Sequence, residues 1–221
     1  MERLPIGISD LDQILKGGVP RGSLTIVLGP PGAGKGIFSK RFLYTGIKEG
    51  GDAFLVTTTE TREGALQMMK NFNWDEGAER ALHVLDCYSG PYAGSQAKYK
   101  ANIASPTDIS LVASKMLDDR SVGPDSRARA VLDSYTDIIR YCGPDRSLKL
   151  LDTLRLKFRV RGVTSFVTVE EGVHDQTTIS SIEHSADGTV RIRFSDEGRS
   201  IMVSRMASTP VTPKWIPMAI G

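Results

Sequence analysis

Apolar and polar positions follow two regular patterns along this chain. Short apolar runs, each bounded by turn residues, occupy positions 24–29, 53–60, 81–87, 129–134 and 163–170. Stretches with apolar residues at helical spacing lie at positions 37–48, 61–72, 107–120 and 146–160. Near-continuous apolar runs are typical of strands that are buried on both faces. The pattern predicts an α/β fold with a mostly parallel sheet flanked by helices.

The two ends of the chain follow other patterns. A short amphipathic helix is expected to begin after Ser9 or Asp10, since both are favourable N-cap residues. Near the other end, three segments alternate in the manner of an antiparallel meander, at 179–183, 189–194 and 200–205. We therefore expect one domain with a lead-in (1–22), a core (23–175), a β meander (176–208) and a loosely attached, proline-rich tail (209–221).

A glycine-rich turn between the first strand and the first long helix has a recognisable chemistry. Its letters, GPPGAGKG, match the phosphate-binding P-loop pattern G-x-x-x-x-G-K-[ST] except at the last position. Glycines allow successive N–H groups to face a phosphate, and Lys35 adds a positive charge for the β- and γ-phosphates. A glycine-rich turn that holds no ligand is the alternative. The candidate nucleotide-binding residues are Gly29, Pro30, Pro31, Gly32, Ala33, Gly34, Lys35, Gly36 and Ile37.

Magnesium binding is the open part of this site. Gly36 replaces the Ser or Thr whose hydroxyl ordinarily contacts Mg²⁺. An apolar run that ends in Asp133 is typical of a Walker B strand, whose carboxylate holds the magnesium shell. Such a run is common in α/β proteins and is weak evidence on its own. Its position after the P-loop is what supports the assignment. Asp133 is the candidate metal residue.

Composition and charge are those of an ordinary globular protein. The 221 residues are 40% hydrophobic and 24% charged, with a net charge of +2, which neither requires nor excludes a nucleic-acid partner. No apolar run approaches the ~20 residues of a membrane span, and the N-terminus has no apolar signal core. Cys87 and Cys142 are expected to be buried, reduced thiols. These features predict a cytoplasmic protein.

The run IGISDLDQILKGGVPRGSLTIVLGPPGAGKG resembles the opening of the RecA-type ATPases of the KaiC/RadA-like group, many of them archaeal. The resemblance implies a RecA-type core with a C-terminal antiparallel β extension, and ATP and Mg²⁺ as ligands. In this group the second strand ends in two acids, and the second acid positions the attacking water. Here Thr59 replaces the first acid, and Glu60 becomes the candidate catalytic carboxylate. Without the resemblance, Glu60 would be an ordinary acid in a first helical turn.

The resemblance also implies an oligomer. In this group a K-x-R element reaches the γ-phosphate of the neighbouring subunit; Arg205 takes its first position here and Ala207 replaces the second. A surface ion pair is the alternative role for Arg205. We expect a homo-oligomeric ring, such as a hexamer, with ATP or ADP at the subunit interface.

Three functions follow as expectations. The first is an oligomeric, regulatory, KaiC-like protein that binds ATP and hydrolyses it weakly with Mg²⁺. The second is a nucleotide-dependent scaffold that binds ATP without consuming it, like the archaellum accessory proteins of this group. The third is a recombinase paralogue that binds single-stranded DNA through the aromatic and basic residues of the loop at 89–106, namely Tyr92, Lys98, Tyr99 and Lys100. Glu170, Glu171 and Asp175 would repel phosphate and disfavour this third function.

Overall fold

Helices and strands alternate along most of the chain, as the pattern predicts. The computed structural model describes residues 2–89, 97–196 and 198–218. Its helices are α1 (Ser9–Ile14), α2 (Lys35–Lys48), α3 (Arg62–Asn71), α4 (Ala78–Ala81), α5 (Pro106–Asp119), α6 (Tyr135–Cys142), α7 (Pro144–Val160) and α8 (Gln176–Ser185). Its strands are β1 (Arg3–Leu4), β2 (Val19–Pro20), β3 (Leu24–Gly29), β4 (Ala53–Thr57), β5 (Leu82–Asp86), β6 (Tyr99–Lys100), β7 (Arg129–Asp133), β8 (Thr164–Glu170), β9 (Gly188–Ser195), β10 (Gly198–Met206) and β11 (Ile216–Pro217).

Nine of these strands form one sheet, in the order β11-β10-β9-β3-β8-β7-β4-β5-β6. The strands from β9 to β6 in this order pair in parallel, whereas β10 and β11 pair antiparallel to their neighbours. The outermost strands, β6 and β11, are two residues long. The predicted fold class, a mostly parallel sheet with an antiparallel extension at the C-terminal side, is confirmed.

Helices cover both faces of the sheet. Along β3, the side chains of Ile26 and Leu28 enter a core layer shared with α5, α6, α7 and α8. Val27, between them, enters the opposite layer, which includes residues of α1, α2, α3 and α4. In that second layer the ring of Phe166 stacks on Phe42 at a centroid distance of 4.0 Å. Because both faces are buried, the central strands are apolar along nearly their whole length.

The register of the strands brings the candidate site together. Gly29 at the end of β3 is level with Glu170 at the end of β8. Thr57 at the end of β4 is level with Asp133 at the end of β7. The carboxyl ends of parallel strands lie at one edge of a sheet, which is where ligands bind in such folds.

The prediction of a strand at 179–183 is wrong, because this segment lies within α8. The carboxylate of Asp175 caps the helix by accepting a hydrogen bond from the amide of Thr178. Ile179 and Ile182, three residues apart, are both buried, which is the spacing of one helix face. The β meander therefore begins with β9, and the segment assigned to 176–208 combines a helix with two strands.

The C-terminal segment is attached more firmly than expected. Ile216 and Pro217 pair with Ile201 and Ser200 of β10. The guanidinium of Arg193 lies 4.0 Å from the ring centroid of Trp215. Residues 216–217 thus add an edge strand to the sheet.

Both cysteines are buried and neither forms a disulfide, as expected. Over the ranges that the structure describes, no helix is both long enough and apolar enough to cross a bilayer.

Candidate nucleotide site

The P-loop lies at the carboxyl edge of the sheet and ends where α2 begins. Gly34 adopts a left-handed conformation, with a φ of 98°, directly before Lys35. Gly29 is required for a different reason, since a Cβ atom there would lie 2.4 Å from the carbonyl oxygen of Ile192 in β9. The sequence therefore forms the strand, tight turn and helix N-terminus that bind phosphate in other proteins.

Lys35 is folded back over this loop. Its ammonium donates hydrogen bonds to the carbonyl oxygens of Gly29 and Pro30 at 3.0 and 2.9 Å. Glu170 lies 3.8 Å from the same nitrogen. Burial lowers the pKa of Lys35, and the carboxylate of Glu170 opposes that shift. A phosphate that displaced these loop carbonyls would give the ammonium a charged partner.

A cavity of about 320 Å³ opens beside the loop. This volume lies within the range of small-molecule sites in proteins. The residues that line it come from the P-loop, from α2 and α3, and from the ends of β4, β7 and β8: Gly32, Gly34, Lys35, Gly36, Ile37, Lys40, Thr59, Met68, Asp133, Ser134 and Glu170. Most of the predicted nucleotide-binding residues from Gly32 to Ile37 therefore line the same cavity.

The two acids predicted from the sequence lie on either side of a lysine. Glu60 follows β4, and its Oε1 atom is 2.5 Å from Nζ of Lys40. Oδ2 of Asp133 lies 3.5 Å from the same nitrogen. All three side chains are largely buried, with exposed fractions of 5% for Lys40, 21% for Glu60 and 12% for Asp133. The site therefore brings Glu60 and Asp133 together around an ammonium group.

Lys40 belongs to this site although no motif in the sequence marks it. It lies in the helical stretch after the P-loop, where a lysine ordinarily belongs to a solvated face. Its spacing from Gly36 is the signal that was available, since residues four apart lie on the same face of a helix. A lysine one turn after a P-loop that lacks its hydroxyl points toward the position of that hydroxyl.

The residues present do not fit a magnesium ion held as the family resemblance implies. Gly36 offers no side-chain oxygen. Oδ1 of Asp133 accepts a hydrogen bond from the hydroxyl of Thr168 at 2.6 Å, and Oδ2 faces the ammonium of Lys40. Within the described ranges, no cluster of three or more His, Cys, Asp or Glu side chains is arranged to hold a metal ion.

Arg205 does not join this site within one chain. It pairs with Thr189 near the amino end of β9, whereas the P-loop lies at the carboxyl ends of the parallel strands. Its guanidinium donates hydrogen bonds to the carbonyl oxygens of Glu183 and Ala186 at the end of α8, at 2.8 and 2.9 Å. Within its own chain Arg205 therefore satisfies backbone groups at a helix C-terminus.

The proposed aromatic and basic loop gives little support for nucleic-acid binding. Tyr92 lies outside the described residues. Tyr99 is only 5% exposed, and its hydroxyl donates to Asp119 at 2.9 Å, so its ring does not offer a stacking surface. Lys98 forms an ion pair with the same carboxylate.

Comparison with known proteins gives consistent matches over the whole chain. A family model described as the KaiC ATPase matches residues 4–221. A UPF0273 protein of Methanopyrus kandleri is 27% identical, with 100% of this chain and 89% of that protein covered. A UPF0273 protein of Thermotoga maritima is 25% identical, with coverages of 100% and 93%. The crystal structure of a KaiC-like protein from Pyrococcus horikoshii superposes with a TM-score of 0.79 at 24% identity, covering 100% of this chain and 96% of the other.

Proposed function

Since this chain belongs to the KaiC family of ATPases, we propose that it binds ATP in the P-loop cavity, hydrolyses it slowly and acts as an oligomeric regulatory protein. The main support is the P-loop itself, with the buried ammonium of Lys35 held at its centre. In a bound state this ammonium would contact the β- and γ-phosphates, and the N–H groups from Gly32 to Ile37 would surround them.

Glu60 is our candidate for orienting the attacking water. It follows β4 at the edge of the sheet that faces the cavity, and its side chain is within reach of Lys40 and Asp133. A carboxylate at this point can accept a proton from water or hold it in line with the γ-phosphate. The neighbouring Thr59 cannot orient the water in the same way, because it has no carboxylate.

Slow turnover is proposed for three reasons. Gly36 has no hydroxyl, Thr59 replaces an acid, and Ala207 replaces the second basic residue of the subunit-crossing element. The first and third changes remove groups that would stabilise negative charge in the transition state, through a metal ion or directly. The second removes a carboxylate beside the one that would orient water. We propose that Arg205 acts across a subunit interface in a ring, because within its own chain it lies away from the P-loop.

A nucleotide switch that does not hydrolyse ATP is the second candidate. The specific support is the 2.5 Å ion pair between Glu60 and Lys40. A carboxylate held in an ion pair with a buried ammonium is not free to orient an attacking water. If this pair persists with ATP bound, the protein would respond to ATP without consuming it.

The experiment is a binding and turnover assay with the purified chain. Binding is measured with a fluorescent ATP analogue, and product by phosphate release. We expect Lys35→Ala to weaken binding at least about tenfold, since a charged hydrogen bond contributes roughly 1.5–3 kcal/mol. The matched control is Lys48→Ala, because Lys48 is an exposed lysine at the other end of α2.

The outcomes separate the two candidates. Slow product formation that disappears in Glu60→Gln supports hydrolysis with Glu60 as the base. Binding without product over many hours supports the switch. Equal binding by the parent chain and Lys35→Ala would refute the P-loop assignment, and brisk turnover lost only in Glu60→Gln would refute the slow-turnover proposal.

A further inference from the structure

The ammonium of Lys40 lies between two carboxylates at the edge of the nucleotide cavity. We propose that it takes the place of the divalent cation, so that the site binds the polyphosphate of a nucleoside triphosphate without magnesium. This inference rests on the proposed ATP binding. It concerns whether the bound ATP carries a magnesium ion. It assigns Lys40, which no sequence motif marks, to the binding site.

Helix geometry directs Lys40 to this position. Gly36 and Lys40 lie four residues apart in α2, and side chains in a helix point back toward its N-terminus. Four residues of an α-helix rise about 6 Å, which a lysine side chain can span. Gly36 leaves the space at the end of that path open. The absence of a side chain at Gly36 therefore leaves the space that the ammonium of Lys40 occupies.

Distances around Gly36 show that the two arrangements would use the same space. A Cβ atom at position 36 would lie 2.9 Å from Oδ2 of Asp133 and 3.7 Å from Nζ of Lys40. A Ser or Thr hydroxyl would extend farther into the same space. The ammonium group thus lies where the magnesium ligand of the ordinary motif would project.

Electrostatics gives the second argument. Two largely buried carboxylates close together need a cation, because unpaired charge is costly away from water. Lys40 supplies it at 2.5 Å from Glu60 and 3.5 Å from Asp133. A divalent ion added here would be repelled by the ammonium at short range. Thr168 also donates a hydrogen bond to the other oxygen of Asp133, so both oxygens of that carboxylate already have a partner.

The chemical consequence is that nucleotide binding does not depend on magnesium. Free ATP has more negative charge than its magnesium complex, and two buried ammonium groups, those of Lys35 and Lys40, face the cavity. Their positive charges would take over part of the neutralisation that a metal ion provides elsewhere.

The test is a titration of the wild-type chain with a fluorescent ATP analogue, once with Mg²⁺ and once with EDTA. We expect the two dissociation constants to agree within about threefold. Electron paramagnetic resonance with Mn²⁺ and ATP provides a second readout, in which the protein should hold no stoichiometric Mn²⁺ beyond that bound by free nucleotide.

A double variant, Gly36→Ser with Lys40→Gln, restores the hydroxyl and removes the ammonium. We expect Mg²⁺ to tighten its nucleotide binding at least about tenfold, and one Mn²⁺ to be held per chain. The matched control is Lys48→Gln on the same helix, which should behave as the wild type does. The comparison of wild-type binding with Mg²⁺ and with EDTA needs no variant. It therefore tests the inference even if the double variant does not fold.

Two results would overturn the inference. Wild-type binding that requires Mg²⁺, or stoichiometric Mn²⁺ in the wild-type complex, would show that a metal ion is held despite Lys40, while ATP binding itself stands. Absence of nucleotide binding with either Mg²⁺ or EDTA would instead remove the proposed function, and the inference with it.

Discussion

At the residue scale, Gly29 shows how closely the P-loop is packed against its neighbour. A methyl group there would lie 2.4 Å from the carbonyl oxygen of Ile192, a backbone atom that cannot rotate away. We expect Gly29→Ala to lower the free energy of unfolding by about 1–3 kcal/mol, the usual cost of overpacking. Nucleotide binding should weaken as well, because the loop must move.

The matched control for this change is Gly123→Ala. A methyl group at Gly123 meets no other heavy atom within 4 Å among the described residues, apart from its chain neighbours. Chemical denaturation of both variants measures the difference. Equal unfolding free energies for the two variants would contradict the close approach of β9.

Cys87 gives a prediction about pH. Burial raises the pKa of its thiol to about 12, and the nearby carboxylates of Asp86 and Asp108 add to this. The ordinary pKa of cysteine is about 8.5, so the folded state keeps the thiol neutral where the unfolded state ionises. Its contribution to stability is full below pH ~8.5 and is lost as the pH rises toward 12.

The expected loss is roughly 1 kcal/mol per pH unit above about pH 9. Denaturation of the wild type and Cys87→Ala at pH 8, 9 and 10 measures it, with a smaller slope expected for the variant. A thiol reagent should also fail to label Cys87 at pH 8 until the chain unfolds, because the thiolate is the reactive form.

Predicting single residues from the sequence succeeded where a motif names them and failed elsewhere. Gly29 to Lys35 were found because glycine spacing and one lysine have a direct geometric meaning. Lys40 was missed, because its role depends on two carboxylates that lie 20 and 93 positions later in the chain. Only the folded sheet brings Glu60 and Asp133 to it.

At the element scale, Asp187 joins the first core strand to a helix. Its Oδ2 atom accepts a hydrogen bond from the amide of Leu24 at 2.9 Å. Its Oδ1 atom accepts from Arg155 and Arg159 of α7 at 2.7 and 2.6 Å. We expect Asp187→Asn to lower the unfolding free energy by about 2 kcal/mol, since charged hydrogen bonds contribute more than neutral ones.

The same carboxylate gives a second pH dependence, of opposite sign to that of Cys87. Burial would raise the pKa of Asp187, but hydrogen bonds from Arg155, the Leu24 amide and Arg159 outweigh it and lower the pKa. Its contribution is therefore present above the unfolded value of about 3.9 and is lost as the pH falls through the lower folded value.

Denaturation of the wild type and Asp187→Asn from pH 7 to pH 3 measures this effect. The gap between them should narrow below about pH 4. Asp125→Asn is the control, because Asp125 is exposed and should change stability little. A gap that stays constant to pH 3 would contradict the role of the ionised carboxylate.

Elements with a long periodic pattern were predictable, and short ones were not. The segment 179–183, which lies within α8, was mistaken for a strand because its residues alternate and isoleucine favours strands locally. The Asp175 cap and the contact of Ile179 and Ile182 with the core decide in favour of a helix. Strands of two residues, such as β6 and β11, are too short to show any period.

At the scale of the whole molecule, the proposed ring makes Arg205 the residue to change. If Arg205 reaches the nucleotide of the next subunit, light scattering should show larger assemblies with ATP than without it. Arg205→Ala should then lower turnover more than nucleotide binding, since the residue would act on the transition state.

Arg205 also holds the end of α8 in its own chain, so the unfolding free energy of the variant must be measured alongside. The matched control is Arg140→Ala, since Arg140 is an exposed arginine in α6. A monomer at high concentration with ATP would contradict the ring. Equal effects of the two variants on turnover would contradict a role across the interface.

The order of strands in the sheet could not be derived from the local pattern. Periodicity shows that a segment is a buried strand, but not which strand lies beside it. Here β3 lies between β8 and β9, which come more than a hundred residues later. The fold class could be predicted from the alternation of helices and strands and from the family resemblance. Which strands lie side by side depends instead on which apolar surfaces fit together.

The two short outer strands affect how readily the protein aggregates at high concentration. Unpaired N–H and C=O groups at a sheet edge are a template on which a strand of another molecule can add, which is the first step toward amyloid-like aggregates. In the described part of the chain, β6 and β11 offer two residues each, and Pro217 has no N–H to donate. At these two strands the sheet therefore offers little template to which a strand of another molecule could add.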